Sequence, residues 1–262
     1  MQAASLKPLF GATILVTRPI EQAQSLSEKL RELGAMTVEV PTIEMIPAEN
    51  YDTLDEILER LNEYDWIVFT SVHGVRVFLK RMGDLKIAPS ALKQVMLAAI
   101  GPATASALER TVKKPDLVPT EFLSWKIADG LGDVKGKRIL LPRADIASKK
   151  LPDLLRKRGA LVKEVVAYRT IIPPELTRDY LSCIFARGVN LVTFTSPSTV
   201  RNFARVLGPD KLEQLLSMVK VACIGPVTLE ATKELGINVD IVSEIHTIDG
   251  LVEAIVDEIG TV

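Results

Sequence analysis

Short apolar runs punctuate the chain at regular intervals: Ile14 to Val16, Trp66 to Phe69, Met96 to Ile100, Ile139 to Leu141, Leu191 to Phe194 and Val219 to Ile224. Each is continuous rather than alternating and is closed by turn residues, the pattern of strands covered on both faces in a parallel sheet. Between them lie stretches with helical spacing, such as "EQAQSLSEKLRELG" and "SKKLPDLLRKRG", each ending on the glycine expected just past a helix. Strands alternating with helices of that length require crossover connections, and hence doubly wound α/β sheets.

The pattern occurs twice. "ILVTRP" from Ile14 matches "ILLPRA" from Ile139, placing Arg18 on Arg143 at an offset of 143 − 18 = 125. "LRELGA", ending at Ala35, and "LRKRGA", ending at Ala160, keep that offset, as do Phe69-Thr70-Ser71 and Phe194-Thr195-Ser196. "AAIGPATASALE" and "ACIGPVTLEATK" align Gly101 on Gly225, one residue out of register. Landmarks in one order and nearly one register mark an internal duplication. The fold class expected is α/β, with two flavodoxin-like doubly wound parallel-sheet domains. A simple tandem arrangement would divide the chain near Gly136.

Composition narrows the function. The 262 residues are 47% hydrophobic and 25% charged, with a net charge of −1, as in an ordinary globular protein. Acidic and basic residues are interspersed, so there is no global field for nucleic acid or an anionic membrane, and an anionic ligand must be held by local groups. Cys183 and Cys223 each lie in an apolar stretch that reads as buried. A disulfide framework is not expected, and a reducing cytoplasm fits better. The run "PLFGATILVT" reads as a leader into the first strand, too short to span a membrane and without a cleavage pattern. His73 and His246 have no Cys or His at metal-ligand spacing, so no metal is expected. Neither Gly101 nor Gly225 opens a dinucleotide or triphosphate motif.

The repeated polar residues all fall where strands end and helices begin: Thr17-Arg18, Thr70-Ser71, Pro102-Ala103-Thr104, Pro142-Arg143, Thr195-Ser196 and Pro226-Val227-Thr228. Carboxyl ends of strands are the ligand edge of an open α/β sheet. Helix N-termini there offer free N–H groups and a positive dipole end to anions. Taken singly, Ser and Thr at such positions are ordinary N-caps. Repetition of all three loops in both halves is what favours a ligand. Lys149 and Lys150 read as a solvated helix face. No triad and no paired acid and base stand out.

At these residues the chain resembles the uroporphyrinogen-III synthase family. "ILVTRP", "FTSVHGV", "AAIGPATASAL", "ILLPRAD", "VAYRT", "VTFTSPSTVRNF", "ACIGPVTLEATKELG" and "TIDGLVEAI" follow the family's order over nearly the whole chain. The resemblance implies two α/β domains joined by a two-stranded linker that the chain crosses twice. Residues 1–38 with 171–262 would form one domain and 44–166 the other, with 39–43 and 167–170 as linker strands. With so few ties, opening and closing around a ligand is the expectation. The implied activity is that of a cofactor-free lyase in tetrapyrrole (haem) biosynthesis, which closes hydroxymethylbilane into uroporphyrinogen III with loss of water and inversion of the last pyrrole ring. A cytoplasmic monomer is implied, with a transient contact with hydroxymethylbilane synthase as the one macromolecular partner to expect.

The bilane's eight carboxylates suit helix N-termini, hydroxyls and a few basic residues. The substrate-binding candidates are therefore Thr17, Arg18, Thr70, Ser71, Ala103, Thr104, Arg143, Thr195, Ser196, Val227 and Thr228. Tyr168 marks a difference between the halves, because its counterpart at 168 − 125 = 43 is Ile43. In the family the tyrosine of the "VAYRT"-like segment faces the substrate and is thought to help the bilane hydroxyl depart, which makes Tyr168 the catalytic candidate. His73 reads as a loop histidine. The alternative to an enzyme is a two-lobed binding module for some other polyanionic small molecule, which would have no need of Tyr168.

Overall fold

The computed structural model describes residues 7–121 and 124–260. Its strands are β1 (Thr13–Val16), β2 (Met36–Glu39), β3 (Glu44–Pro47), β4 (Trp66–Phe69), β5 (Met96–Ala99), β6 (Arg138–Ala144), β7 (Leu161–Ile171), β8 (Leu191–Phe194), β9 (Lys220–Cys223) and β10 (Ile241–Val242). The helices are α1 (Ile20–Glu32), α2 (Asp52–Leu58), α3 (Val72–Asp84), α4 (Pro102–Thr111), α5 (Ser124–Gly130), α6 (Lys150–Lys157), α7 (Arg178–Phe185), α8 (Pro197–Leu207), α9 (Pro209–Leu216), α10 (Pro226–Lys233) and α11 (Ile248–Ile259). The chain divides into two compact units, Met1–Glu44 with Ile171–Val262, and Met45–Thr170.

The first unit is a five-stranded sheet in the order β10-β9-β8-β1-β2. The pairings β1 with β2, β1 with β8, β8 with β9 and β9 with β10 are all parallel. Counted along this unit alone, the order is 2-1-3-4-5, that of a flavodoxin-like sheet. Successive residues of each strand supply opposite cores. Leu15, Val192 and Phe194 pack under α7, α8 and α9 with Leu181, Val200, Phe203 and Leu212. Ile14, Val16 and Leu191 pack under α1 and α11 with Leu26, Leu30, Leu251 and Ile255. Burial on both faces explains why these strands read as unbroken apolar runs. The glycine expected after α1 does its work at Gly34, whose φ of +101° is open to glycine at little cost.

The second unit has the order β3-β7-β6-β4-β5. Under the duplication, β6, β7, β4 and β5 correspond to β1, β2, β8 and β9, so the same arrangement recurs with parallel pairs β4 with β5, β4 with β6 and β6 with β7. Its edges differ from the first unit. Beyond β5 the described residues add a bridge between Ala98 and Leu117, while β3 adds a strand outside β7. Ile67, Phe69, Leu97 and Leu140 bury against Val75, Phe78 and Met82 of α3. Val68, Ala98, Ile139 and Leu141 bury against Leu151 and Leu155 of α6 and Ile127 of α5. Phe69 meets Phe78 edge to face at 5.3 Å, and Phe194 meets Phe203 likewise at 5.4 Å, so the duplication extends into the cores.

Two sheets joined by strands, each in the flavodoxin-like arrangement, agree with the fold class read from the sequence. One detail is corrected. Cys223 is buried on β9, and loss of hydration pushes its thiol up to about 12, but Cys183 is exposed on α7. The helix turns its apolar side, Leu181, Ile184 and Phe185, to the core, and Cys183 falls on the other side.

Candidate functional site

In each unit a reversal of winding lies between two neighbouring strands. In the first, β1 leads to α1 on one face and β8 to α8 on the other. In the second, β6 leads to α6 and β4 to α3, again on opposite faces. The connections part there, leaving a crevice at the carboxyl ends of those strands. Thr17 and Arg18 follow β1 and Thr195 and Ser196 follow β8 at the first of these edges, while Thr70 and Ser71 follow β4 at the second.

Ser71 and Ser196 are true N-caps. The Ser71 hydroxyl accepts a hydrogen bond from the Gly74 N–H at 3.0 Å, and that of Ser196 accepts from the Thr199 N–H at 3.3 Å. Helices α4 and α10 differ, because their N-caps are Gly101 and Gly225, which supply no side-chain acceptor, and each opens on a proline. The first-turn N–H groups of Ala103 and Thr104, and of Val227, therefore keep their capacity for an external acceptor. The Thr104 and Thr228 side chains are themselves buried, so what these loops offer is chiefly backbone.

Two expected ligand side chains are corrected. Thr17 is fully buried, and its hydroxyl donates to the Thr193 carbonyl at 2.7 Å. It ties β1 to β8 and leaves no hydroxyl for a substrate. Arg143 is 7% exposed, within β6 rather than past its end. Its guanidinium donates to Glu164 at 3.2 Å and to the Ser148 carbonyl at 2.6 Å, fixing the loop after β6. Glu164 also receives Lys149 at 3.1 Å and Arg156 at 3.0 Å. Burial alone would raise its pKa. The hydrogen bonds from Lys149 and Arg156, with the Arg143 charge, prevail and hold the carboxyl below the usual carboxylate range. Arg18 is half-buried, donates to Gln22 at 3.1 Å, and has its pKa lowered by burial.

Tyr168 is buried on β7, opposite the end of β6. The register shifts there: Arg143 is opposite Val166, but Ala144 is opposite Tyr168, so β7 holds one extra residue, Ala167. Ala167 and Tyr168 are consequently both buried in succession, although strand residues ordinarily alternate. A bulge of this kind re-aims a side chain. The Asp145 N–H donates to the Tyr168 carbonyl at 3.1 Å, and the Thr170 N–H to the Asp145 carboxylate at 3.0 Å, which pins the bulge.

The Tyr168 hydroxyl lies 3.1 Å from the Ser71 hydroxyl, with either able to donate. Its ring meets the His73 ring edge to face, with centroids 4.5 Å apart and planes at 68°. Burial pushes the phenol pKa up, and Asp145 adds to that rise, whereas the Ser71 hydrogen bond and the Arg143 charge lower it. The group is therefore neutral and protonated at neutral pH. His73 is not a loop residue: it is the second residue of α3, in the first turn after the Ser71 cap. Among the described residues no group of His, Cys, Asp and Glu could hold a metal ion, and no helix is long and apolar enough to cross a membrane.

Comparison with known proteins bears on the family and the fold. Residues 24–253 match the family model described as uroporphyrinogen-III synthase HemD. A uroporphyrinogen-III synthase of Synechococcus elongatus is 32% identical over 255 residues, covering 95% of this chain and 96% of that protein. One from Chlorobaculum parvum is 32% identical over 244 residues, covering 88% and 93%. A solved structure of a mutant uroporphyrinogen III synthase from the extremely thermophilic bacterium Thermus thermophilus shares the fold, with a TM-score of 0.68 at 20% identity over 93% of this chain and 96% of that one. With a family match running through both units and relatives aligned nearly end to end, the chain belongs to the uroporphyrinogen-III synthase family.

Proposed function

We propose that this chain closes linear hydroxymethylbilane into uroporphyrinogen III, with loss of water and inversion of the last pyrrole ring, and that the reacting end of the bilane lies beside Tyr168. Family membership over both units supports the reaction. The observation that carries the placement is the Tyr168 phenol, protonated and bonded to Ser71, at the ligand edge of the second unit.

Departure of the bilane hydroxyl needs a proton, and the phenol can donate one or share it in a hydrogen bond. As negative charge develops on the phenol oxygen, the Ser71 hydroxyl turns to donate to it, and Arg143 opposes the charge from within the sheet. In the inverting course the last ring attacks through the carbon that already bears its bridging methylene, forming a spiro centre. That methylene bond then breaks and re-forms at the ring's free α-carbon, whose hydrogen leaves as a proton and restores the phenol, so water is the only group lost and no redox partner is needed. The azafulvene left by water loss closes in solution without inversion. The enzyme's remaining task is therefore positional: it holds the last ring so that the inverting attack is the near one. The carboxylates fall to the first-turn N–H groups of α4 and α10, those of Ala103, Thr104 and Val227, together with the Thr70, Thr195 and Ser196 hydroxyls and Arg18, while the Thr228 N–H is held by the Gly225 carbonyl at 3.2 Å.

The two cysteines are free thiols, which suits a reducing cytoplasm, and we place the protein there as a monomer. A contact with hydroxymethylbilane synthase would be transient. A direct test follows the disappearance of chemically prepared hydroxymethylbilane in the presence of a strong chelator. The protein should consume it well above the spontaneous rate, with no loss on chelation. Consumption at the spontaneous rate by folded protein would reject the reading, and loss on chelation would reject a mechanism built from this chain's side chains alone.

A further inference from the structure

The duplication supplies an internal control for the Tyr168 environment. At the offset of 125 residues, Ser71 corresponds to Ser196, His73 to Ser198, Gly74 to Thr199 and Tyr168 to Ile43. The first unit keeps the capping serine and changes the other three together. There Ile43 is buried, Thr199 Oγ1 donates to the Ser196 carbonyl at 2.7 Å, and the Ser196 and Ser198 hydroxyls lie 3.0 Å apart. In the second unit the serine hydroxyl faces a phenol instead.

We propose that His73 and Gly74 are positioning residues for Tyr168: the His73 ring fixes the plane of the phenol, and the missing side chain at Gly74 leaves the Ser71 hydroxyl where the phenol can meet it. The proposal rests on the role of Tyr168 given above. A phenol has few torsions, so one contact on the ring and one on the oxygen suffice to set its position. The His73 ring supplies the first at 4.5 Å between centroids, and Ser71 supplies the second at 3.1 Å. A β-carbon at residue 74 would stand 3.0 Å from Ser71 Oγ and 3.9 Å from Tyr168 Cε1. At the first distance the serine hydroxyl, held close by its bond from the Gly74 N–H, would have to give by a few tenths of an ångström, as at Thr199, where the corresponding cap bond is longer at 3.3 Å against 3.0 Å. Gly74 lies inside α3, where alanine is ordinarily the better helix residue, so a glycine there weakens the helix while making room. The charged and polar groups around the phenol are Ser71, His73, Arg143 and Asp145.

The test uses His73→Ala, His73→Phe and Gly74→Ala in the full chain, read by kcat and KM for type III formation, by thermal melting, and by ultraviolet titration of Tyr168. The protein has four tyrosines, so the Tyr168 signal is taken as the difference from a Tyr168→Phe variant. His73→Ala should lower kcat about tenfold with KM within twofold, as a slightly misplaced group does. Its phenol should titrate closer to the ordinary tyrosine value, because water gains access. His73→Phe should restore both. Gly74→Ala should melt no lower than the parent yet lose kcat about tenfold. Parent-like kcat and an unmoved Tyr168 titration in His73→Ala would overturn the proposal. So would a His73→Phe variant as impaired as His73→Ala, since the imidazole rather than a ring edge would then matter. If Tyr168→Phe itself keeps full activity, the catalytic reading fails, while the titration still decides whether His73 and Gly74 hold the phenol.

Discussion

Tyr168→Phe should form the type III product about 10²-fold more slowly while folding as the parent does. The substitution removes one oxygen from a buried ring that still packs against His73. Ser71 keeps its bond from the Gly74 N–H, so the stability lost is that of one hydrogen bond, about 1 kcal/mol. The rate effect sits at the low end of what general acids supply, because burial makes this phenol a weaker acid than tyrosine in water. Thr104→Ala, Ser196→Ala and Thr228→Ala should each cost less, about 1 kcal/mol in binding or stability, since backbone N–H groups survive every side-chain change. Steady-state kinetics with a melting curve for each variant gives the ranking. A fully active Tyr168→Phe beside an inactive but folded Thr228→Ala would move the chemistry to the Gly225-Pro226 loop.

The second large effect is on stability. Glu164→Gln leaves the Arg143 guanidinium buried with the Ser148 carbonyl and an amide in place of a carboxylate. Removing one partner of a buried pair costs about 3 kcal/mol. The Lys149 and Arg156 partners are largely exposed and add little. The sign of the pH dependence follows from the depressed Glu164 pKa. Its stabilisation is present above the unfolded-state value of about 4.3 and is lost as pH falls through the lower folded-state value. The parent should therefore exceed the variant at neutral pH, and the gap should close in acid below about pH 4. Trp66 and Trp125 are the only tryptophans and both lie in the second unit, so their fluorescence in urea reports this unit selectively. Equal midpoints at neutral pH would show that Glu164 does not compensate the Arg143 charge.

Much of the fold is legible because both sheets are buried on both faces. Trp66 to Phe69 and Leu191 to Phe194 are bounded to the residue by their apolar runs. The glycines after α1 and α6 mark helix ends because a left-handed conformation is required there, with Gly34 and Gly159 at φ +101° and +85°. The strand-end location of Ser71 and Ser196 is legible for the same reason. What the pattern cannot carry is local geometry set by neighbours distant in sequence. The bulge at Ala167 that turns Tyr168 toward Ser71 depends on the partner strand β6. Thr17 reads as a ligand because its hydroxyl is polar and at a strand end, yet Thr193, far along the chain, takes it. Arg143 misleads likewise, since its acceptor Glu164 lies on the neighbouring strand. The change of His73 and Gly74 to Ser198 and Thr199 is present in the duplication, but only the ring contact gives it a meaning.

The isomer formed tests the central claim most directly. Hydroxymethylbilane is incubated with the purified protein, and the oxidised products are separated into type I and type III uroporphyrins. Type III should predominate, in a proportion that rises with protein concentration and falls in Tyr168→Phe. A product that stays type I, as in the spontaneous reaction, with the protein shown to be folded by its melting transition, would contradict the assignment.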